Sequence, residues 1–119
     1  LPMYPSTSFA HVAPLVLEIG FGMGASLVET AKQTPQQNFV GVEVHAPGVG
    51  ALLLAIEKLQ LTNLRVHHGD IIELLPELPC ESFDKIQIYF PDPWPKKRHH
   101  KRRLVQTPFV NQILPLLKP

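Results

Sequence analysis

At 119 residues, 45% apolar and 18% charged, the chain has the composition of one modest globular domain, which excludes a disordered segment or a pair of domains. No apolar run reaches the roughly 20 residues of a membrane-crossing helix, and the opening LPMYPSTSFAHVAP lacks the basic start and apolar core of a secretory signal. The net charge of +1 conceals an asymmetry: six of the eleven Lys and Arg fall in residues 96–103, leaving an acidic body with one basic ridge suited to polyanions.

In chain order, residues 1–14 are read as an N-terminal extension with no assigned element, and residues 15–119 as the N-terminal part of a domain. LVLEIG (15–20) is a short apolar run ending in an acid and a glycine, a strand meeting a turn. ASLVETAKQ (25–33) carries Leu27, Val28 and Ala31 at helical spacing and stops before Pro35. NFVGVEV (38–44) reads as a second strand. A helix starts at Pro47, where a missing N–H costs little, although Gly48 and Gly50 are poor helix formers. NLRVHHGD is a third strand ending at Asp70, IIELLPEL a brief helix, and FDKIQIYF (83–90) a fourth strand. Thr107 caps and Pro108 opens a last helix that Pro115 bends or ends. Phe39, Phe83, Phe90 and Leu52–Leu54 are assigned to the core. Cys80, the lone cysteine, forms no internal disulfide and suits a reducing compartment; its acidic neighbours Glu77 and Glu81 make it a poor nucleophile.

Strands alternating with helices predict an α/β doubly wound, mostly parallel sheet. Ligands of such sheets bind beyond the carboxyl ends of the strands. Four successive strands place an acid there: Glu18, Glu43, Asp70 and Asp92. The first is followed by a loop, Gly20, Gly22 and Gly24, able to turn tightly and approach a ligand. Gly20-x-Gly22-x-x-Ala25 also satisfies the dinucleotide fingerprint, and Glu43 falls where a ribose-binding acid belongs, so an NAD-dependent oxidoreductase stands as an alternative. Charge discriminates. A pyrophosphate at the loop would be repelled by Glu18, whereas S-adenosylmethionine offers a sulfonium, an α-ammonium and a ribose diol. Glu18 suits the methionyl end, Glu43 both ribose hydroxyls, and Asp70 the adenine amine.

The stretches LEIGFGMG, GVEVH, the GD after strand three and above all FPDPWPKKRHHKRR resemble the bacterial tRNA (guanine-N7-)-methyltransferase family, from about Leu15 to the final helix. The resemblance implies the Rossmann-like fold of a class I, S-adenosylmethionine-dependent methyltransferase, with only its first four strands and their helices in this chain. It implies donor-binding residues at Glu18, Glu43, Asp70 and Asp92, with Asp92 also at the reacting centre. A substrate-contacting lysine falls on Lys96, and an RNA-binding run on Arg98, His99, His100, Lys101, Arg102 and Arg103. The partner implied is tRNA, the enzyme a cytoplasmic monomer. Family members are roughly twice as long, so the guanine pocket is expected to be incomplete and strand four to be an open edge.

Guanine N7 has a lone pair and no proton, so its methylation needs no general base; alignment and electrostatics carry it. A carboxylate fixed between Pro91 and Pro93 can hold the donor and stabilise a purine becoming cationic, while the basic run binds phosphates. Trp94 is assigned to packing rather than base stacking. His99 and His100 lack a Cys or His pair at zinc spacing, so no metal is expected. His67 and His68 are assigned structural roles, and the resemblance places His45 by the donor pocket. A non-catalytic RNA-binding module is the third reading.

Overall fold

The computed structural model describes residues 13–88 and 111–119. Asp92, Trp94, Lys96, Arg98, His99, His100, Lys101, Arg102 and Arg103 lie outside them, as do Phe90 and the Thr107–Pro108 helix start. The elements run β1 (Leu15–Ile19), α1 (Ala25–Gln33), β2 (Asn38–Glu43), α2 (Ala46–Leu59), β3 (Leu64–His68), α3 (Ile71–Leu74) and β4 (Lys85–Ile88). The strands form one sheet in the order β3-β2-β1-β4, parallel throughout. Among the described residues no helix is long and apolar enough to cross a membrane.

Period-two alternation divides the sheet into two faces. Leu15, Leu17, Ile19, Val40 and Val42 pack on one side with Ile71, Leu74, Phe83, Ile113 and Leu116. Val16, Phe39 and Leu64 pack on the other with Leu27, Ala31, Val49 and Leu52 from α1 and α2. Both faces of β1 and β2 are thus covered, which is why these strands read as near-continuous apolar runs. Glu18 shares the α1/α2 face with Val16, and so do Lys85 and Gln87, which register with Val16 and Glu18 across β1–β4.

Two expectations need correction. Of the three leucines assigned to the core, only Leu52 is buried; Leu53 is 50% and Leu54 68% exposed. Three consecutive residues sit about 100° apart and together span about 200° of a helix, so they cannot all face one sheet. Strand four is also shorter at its start and less open than predicted. Phe83 makes an isolated parallel bridge to Leu117 instead of joining β4. Residues 111–113 are helical, Leu114–Leu116 tighten into a 3-10 turn at Pro115, and the chain then runs alongside Phe83. Phe83 N donates to Leu116 O at 3.0 Å and Lys118 N to Phe83 O at 2.9 Å, so the outer edge is covered where it begins.

The amino end of the sheet is closed by side chains. Asn63, buried just before β3, donates its amide to three carbonyls: Ala31 (3.0 Å), Thr34 (3.2 Å) and Gln37 (3.0 Å). That single side chain gathers the end of α1, the following turn and the entry to β2. Asp84 accepts from Leu15 N at 2.7 Å and from Lys118 Nζ at 3.2 Å, joining the starts of β1 and β4 to the chain beyond Pro115. The Leu15 N–H, reinforced by Lys118, holds the Asp84 carboxyl below its usual range despite some desolvation.

Candidate functional site

At the carboxyl end of the sheet the chain leaves β1 through Gly20-Phe21-Gly22-Met23-Gly24. All three glycines have positive φ (81°, 66° and 89°), a backbone that a side chain would strain. Gly20 N donates to Val42 O, and Gly24 N to Phe21 O, folding the loop back over the tip of β2 before Gly24 caps α1. Gly48 holds the other side of this loop. A Cβ built on Gly48 would lie 1.8 Å from Gly22 O, so α2 reaches the loop only because residue 48 has no side chain.

Glu43, the last residue of β2, is 6% exposed and already engaged. Its Oε1 accepts from Gly22 N at 2.7 Å, and its Oε2 from Val44 N and His45 N, both at 3.1 Å. The carboxylate therefore ties the glycine loop to the entry of α2. A carboxylate offers about four lone-pair sites, so one, on Oε1, stays open to a ribose hydroxyl in this arrangement. Accepting both hydroxyls, as expected from the sequence, requires a backbone N–H to be released.

Asp70 lies two residues beyond β3 and is exposed. Its Oδ1 accepts from Ile72 N at 2.9 Å as the cap of α3, leaving Oδ2 for a ligand. His68 Nε2 sits 3.1 Å from Val44 O and Gly69 N donates to Glu43 O, which fastens the tips of β3 and β2 together. The structural assignment of His68 agrees with this contact.

Glu18 differs from both. It lies within β1 rather than after it, and its side chain is 7% exposed on the α1/α2 face, one residue short of the glycine loop. Burial pushes its carboxyl above the ordinary value of 4.5. A buried carboxylate of this kind favours a proton or a bound cation, and the ammonium and sulfonium of a methyl donor are of that sign. Its neighbour across the strands is Gln87 of β4.

The structure thus gathers Glu18, Glu43, Asp70 and the three glycines at adjacent tips of β1, β2 and β3; Asp92 and the basic run lie outside the described residues. Gly48 and Gln87 were not singled out from the sequence as site residues. The signal for Gly48 was available: a glycine in the first turn of a helix, where its low helix propensity needs another reason, here the close approach of the loop. Gln87 carries no signal until the register of β4 on β1 is known.

Comparison with known proteins identifies the family and the fold. A family model described as a putative methyltransferase matches residues 12–119. The chain is 53% identical over 118 residues to the tRNA (guanine-N(7)-)-methyltransferase of Yersinia pestis (strain Pestoides F), covering 98% of this chain and 49% of that protein. It is 56% identical over 111 residues to the protein of the same name from Shewanella piezotolerans, covering 92% and 47%. The chain therefore spans about half the length of the curated relatives it matches. Among solved structures, a SAM-dependent methyltransferase from Aquifex aeolicus superposes with a TM-score of 0.64 at 23% identity, over 89% of this chain and 52% of that one. One from Thiobacillus denitrificans, in complex with S-adenosyl-L-homocysteine, gives 0.65 at 15%, over 90% and 39%. At such identities the likeness is one of fold, the Rossmann-like sheet of class I methyltransferases.

Proposed function

Because the chain belongs to the family described as putative methyltransferases, we propose that it carries the donor-binding half of a cytoplasmic, monomeric tRNA (guanine-N7-)-methyltransferase using S-adenosylmethionine. The observation that carries this reading is Glu18, a buried carboxylate one residue before a three-glycine loop. A dinucleotide pyrophosphate at that loop would face a negative charge, whereas a cationic donor is attracted. The name shared by relatives at 53–56% identity supplies the acceptor, guanine N7 of tRNA.

The donor, when bound, supplies an electrophilic methyl group on a sulfonium. Glu18 holds the positively charged end against the glycine loop. Glu43 accepts a ribose hydroxyl with the lone pair that its backbone ties leave open, and Asp70 accepts from the adenine amine with Oδ2. Asp92, which the sequence sets between two prolines, stabilises the charge that the acceptor purine gains. Lys96 contacts the substrate, and Arg98 to Arg103 bind tRNA phosphates. No residue has to remove a proton from N7, so positioning and electrostatics account for the acceleration.

In the intact protein, Asp92→Ala is expected to abolish N7 methylation while tRNA binding persists. Replacing Arg98, Lys101, Arg102 and Arg103 is expected to weaken tRNA binding and flatten its salt dependence. Methylation by the Asp92 variant, or calorimetric binding of NAD without binding of S-adenosylmethionine, would overturn the reading. Binding of tRNA with no methyl transfer by the unaltered intact protein would leave a non-catalytic RNA-binding module.

A further inference from the structure

Among the described residues no backbone N–H ties Glu18 down as others tie Glu43 and Asp70, yet it is as buried as Glu43. A carboxylate in that position needs a donor to fix its rotamer and to offset the loss of water. The parallel register of β1 and β4 sets Gln87 directly beside it on the same face. One orientation of the Gln87 amide satisfies both of its neighbours. The nitrogen then donates to Glu18 Oε1 at 3.2 Å, and the oxygen accepts from Lys85 Nζ at 3.1 Å. In the opposite orientation the amide oxygen would face a carboxylate and its NH2 an ammonium, so the two charges select the first.

We propose that Gln87 is a positioning residue for the donor site: anchored by Lys85, it holds the Glu18 carboxylate in its ionised, inward-facing rotamer. The inference rests on the donor-binding role of Glu18 given above and adds a residue of β4 to it. Lys85 is exposed and Gln87 half-buried, so the relay runs from the solvent edge of the sheet towards the loop. The ammonium polarises the amide, and the polarised N–H is a stronger donor to the acid. Of the groups facing Glu18 from the packed elements, Phe21 and Leu27 are apolar and fill the space above Gly41, the β2 partner of Glu18. Among the described residues, Gln87 is then the polar side chain that reaches it.

The test is the affinity of the intact protein for S-adenosylhomocysteine, measured calorimetrically between pH 5 and 8 for the wild type, Gln87→Met and Glu18→Gln, with thermal unfolding as a check on folding. Gln87→Met keeps the length and removes the donor. It should weaken binding about tenfold at neutral pH, as expected for a lost hydrogen bond to a charged group. The pH at which binding is lost on acidification should also move upward, because the ionised form of Glu18 loses support. A change in packing alone would not move that midpoint. Should Gln87→Met fail to fold, Lys85→Met at the exposed edge carries the same test with a smaller shift in the same direction. Wild-type affinity and an unmoved midpoint in the Gln87 variant, with Glu18→Gln binding abolished, would overturn the positioning role alone. Unchanged binding in Glu18→Gln would instead sink the donor-site reading on which it rests.

Discussion

The two ends of the sheet use polar side chains in opposite ways. At the amino end, Asn63 donates to three backbone carbonyls, and Asp84 accepts from the Leu15 N–H and from Lys118, closing the chain on itself. Asp84 is held below its usual pKa range there, so its charge is welcome to the fold. At the carboxyl end Glu18 is buried with its pKa raised, so its charge is a burden to the fold and an asset only to a cation. Glu43 stands between these cases, tying a loop with three N–H groups and keeping one acceptor site open. One end is built for stability, the other for an occupant.

Gly48→Ala should have the largest effect, because the added methyl lands on a backbone carbonyl of the glycine loop rather than on a flexible side chain. Overpacking of that kind costs about 3 kcal/mol, and donor affinity should fall with stability, which urea unfolding and calorimetry would register together. If stability falls and affinity does not, the loop and α2 are uncoupled. Asn63→Ala comes next. Three carbonyls lose a buried donor, for about 2 kcal/mol, yet the site lies at the other end of the sheet. Donor affinity at a temperature where the variant is folded should therefore be unchanged, and a parallel loss would blur the division between the ends.

Glu18→Gln should have the smallest effect on stability and the opposite sign. The folded-state pKa of Glu18 is raised, so its favourable protonated form is fully present below the unfolded value of 4.5 and is lost as pH rises through the folded value. At neutral pH the wild type carries the ionised group at a cost. The variant keeps the shape without the charge and should melt a few degrees higher. That gain should close as pH falls towards 4.5, while donor binding is lost throughout. A variant that melts lower at pH 7 would mean that the ionised carboxylate already has adequate partners.

Much of this was legible in the sequence because the physics is local. Apolar runs and β-branching located β1 and β2, and Pro35 with Pro47 bracketed the turn and helix around β2. The glycine loop announced its positive φ values through residue type alone. Leu53 and Leu54 were misread because hydrophobicity was counted without the helical period. The same limit hid Gln87: which side chain faces Glu18 depends on a strand pairing about 70 positions away, and nothing in the neighbourhood of either residue encodes it. The engagement of Glu43 was also invisible, since an acid ending a strand looks the same whether it awaits a ligand or grips a loop.

The pairing of β1 with both β2 and β4 also governs how the protein is made. Its pairing with β2 needs only the intervening helix, Leu15 registering with Asn38, but Leu15 and Asp84 are 69 residues apart. At roughly 5–20 residues per second, a nascent chain spends about 3–14 s on the ribosome with an apolar central strand half unclasped. During that interval the strand is open to mispairing with other polypeptides, and the protein's yield in a cell will depend on what shields it until β4 emerges.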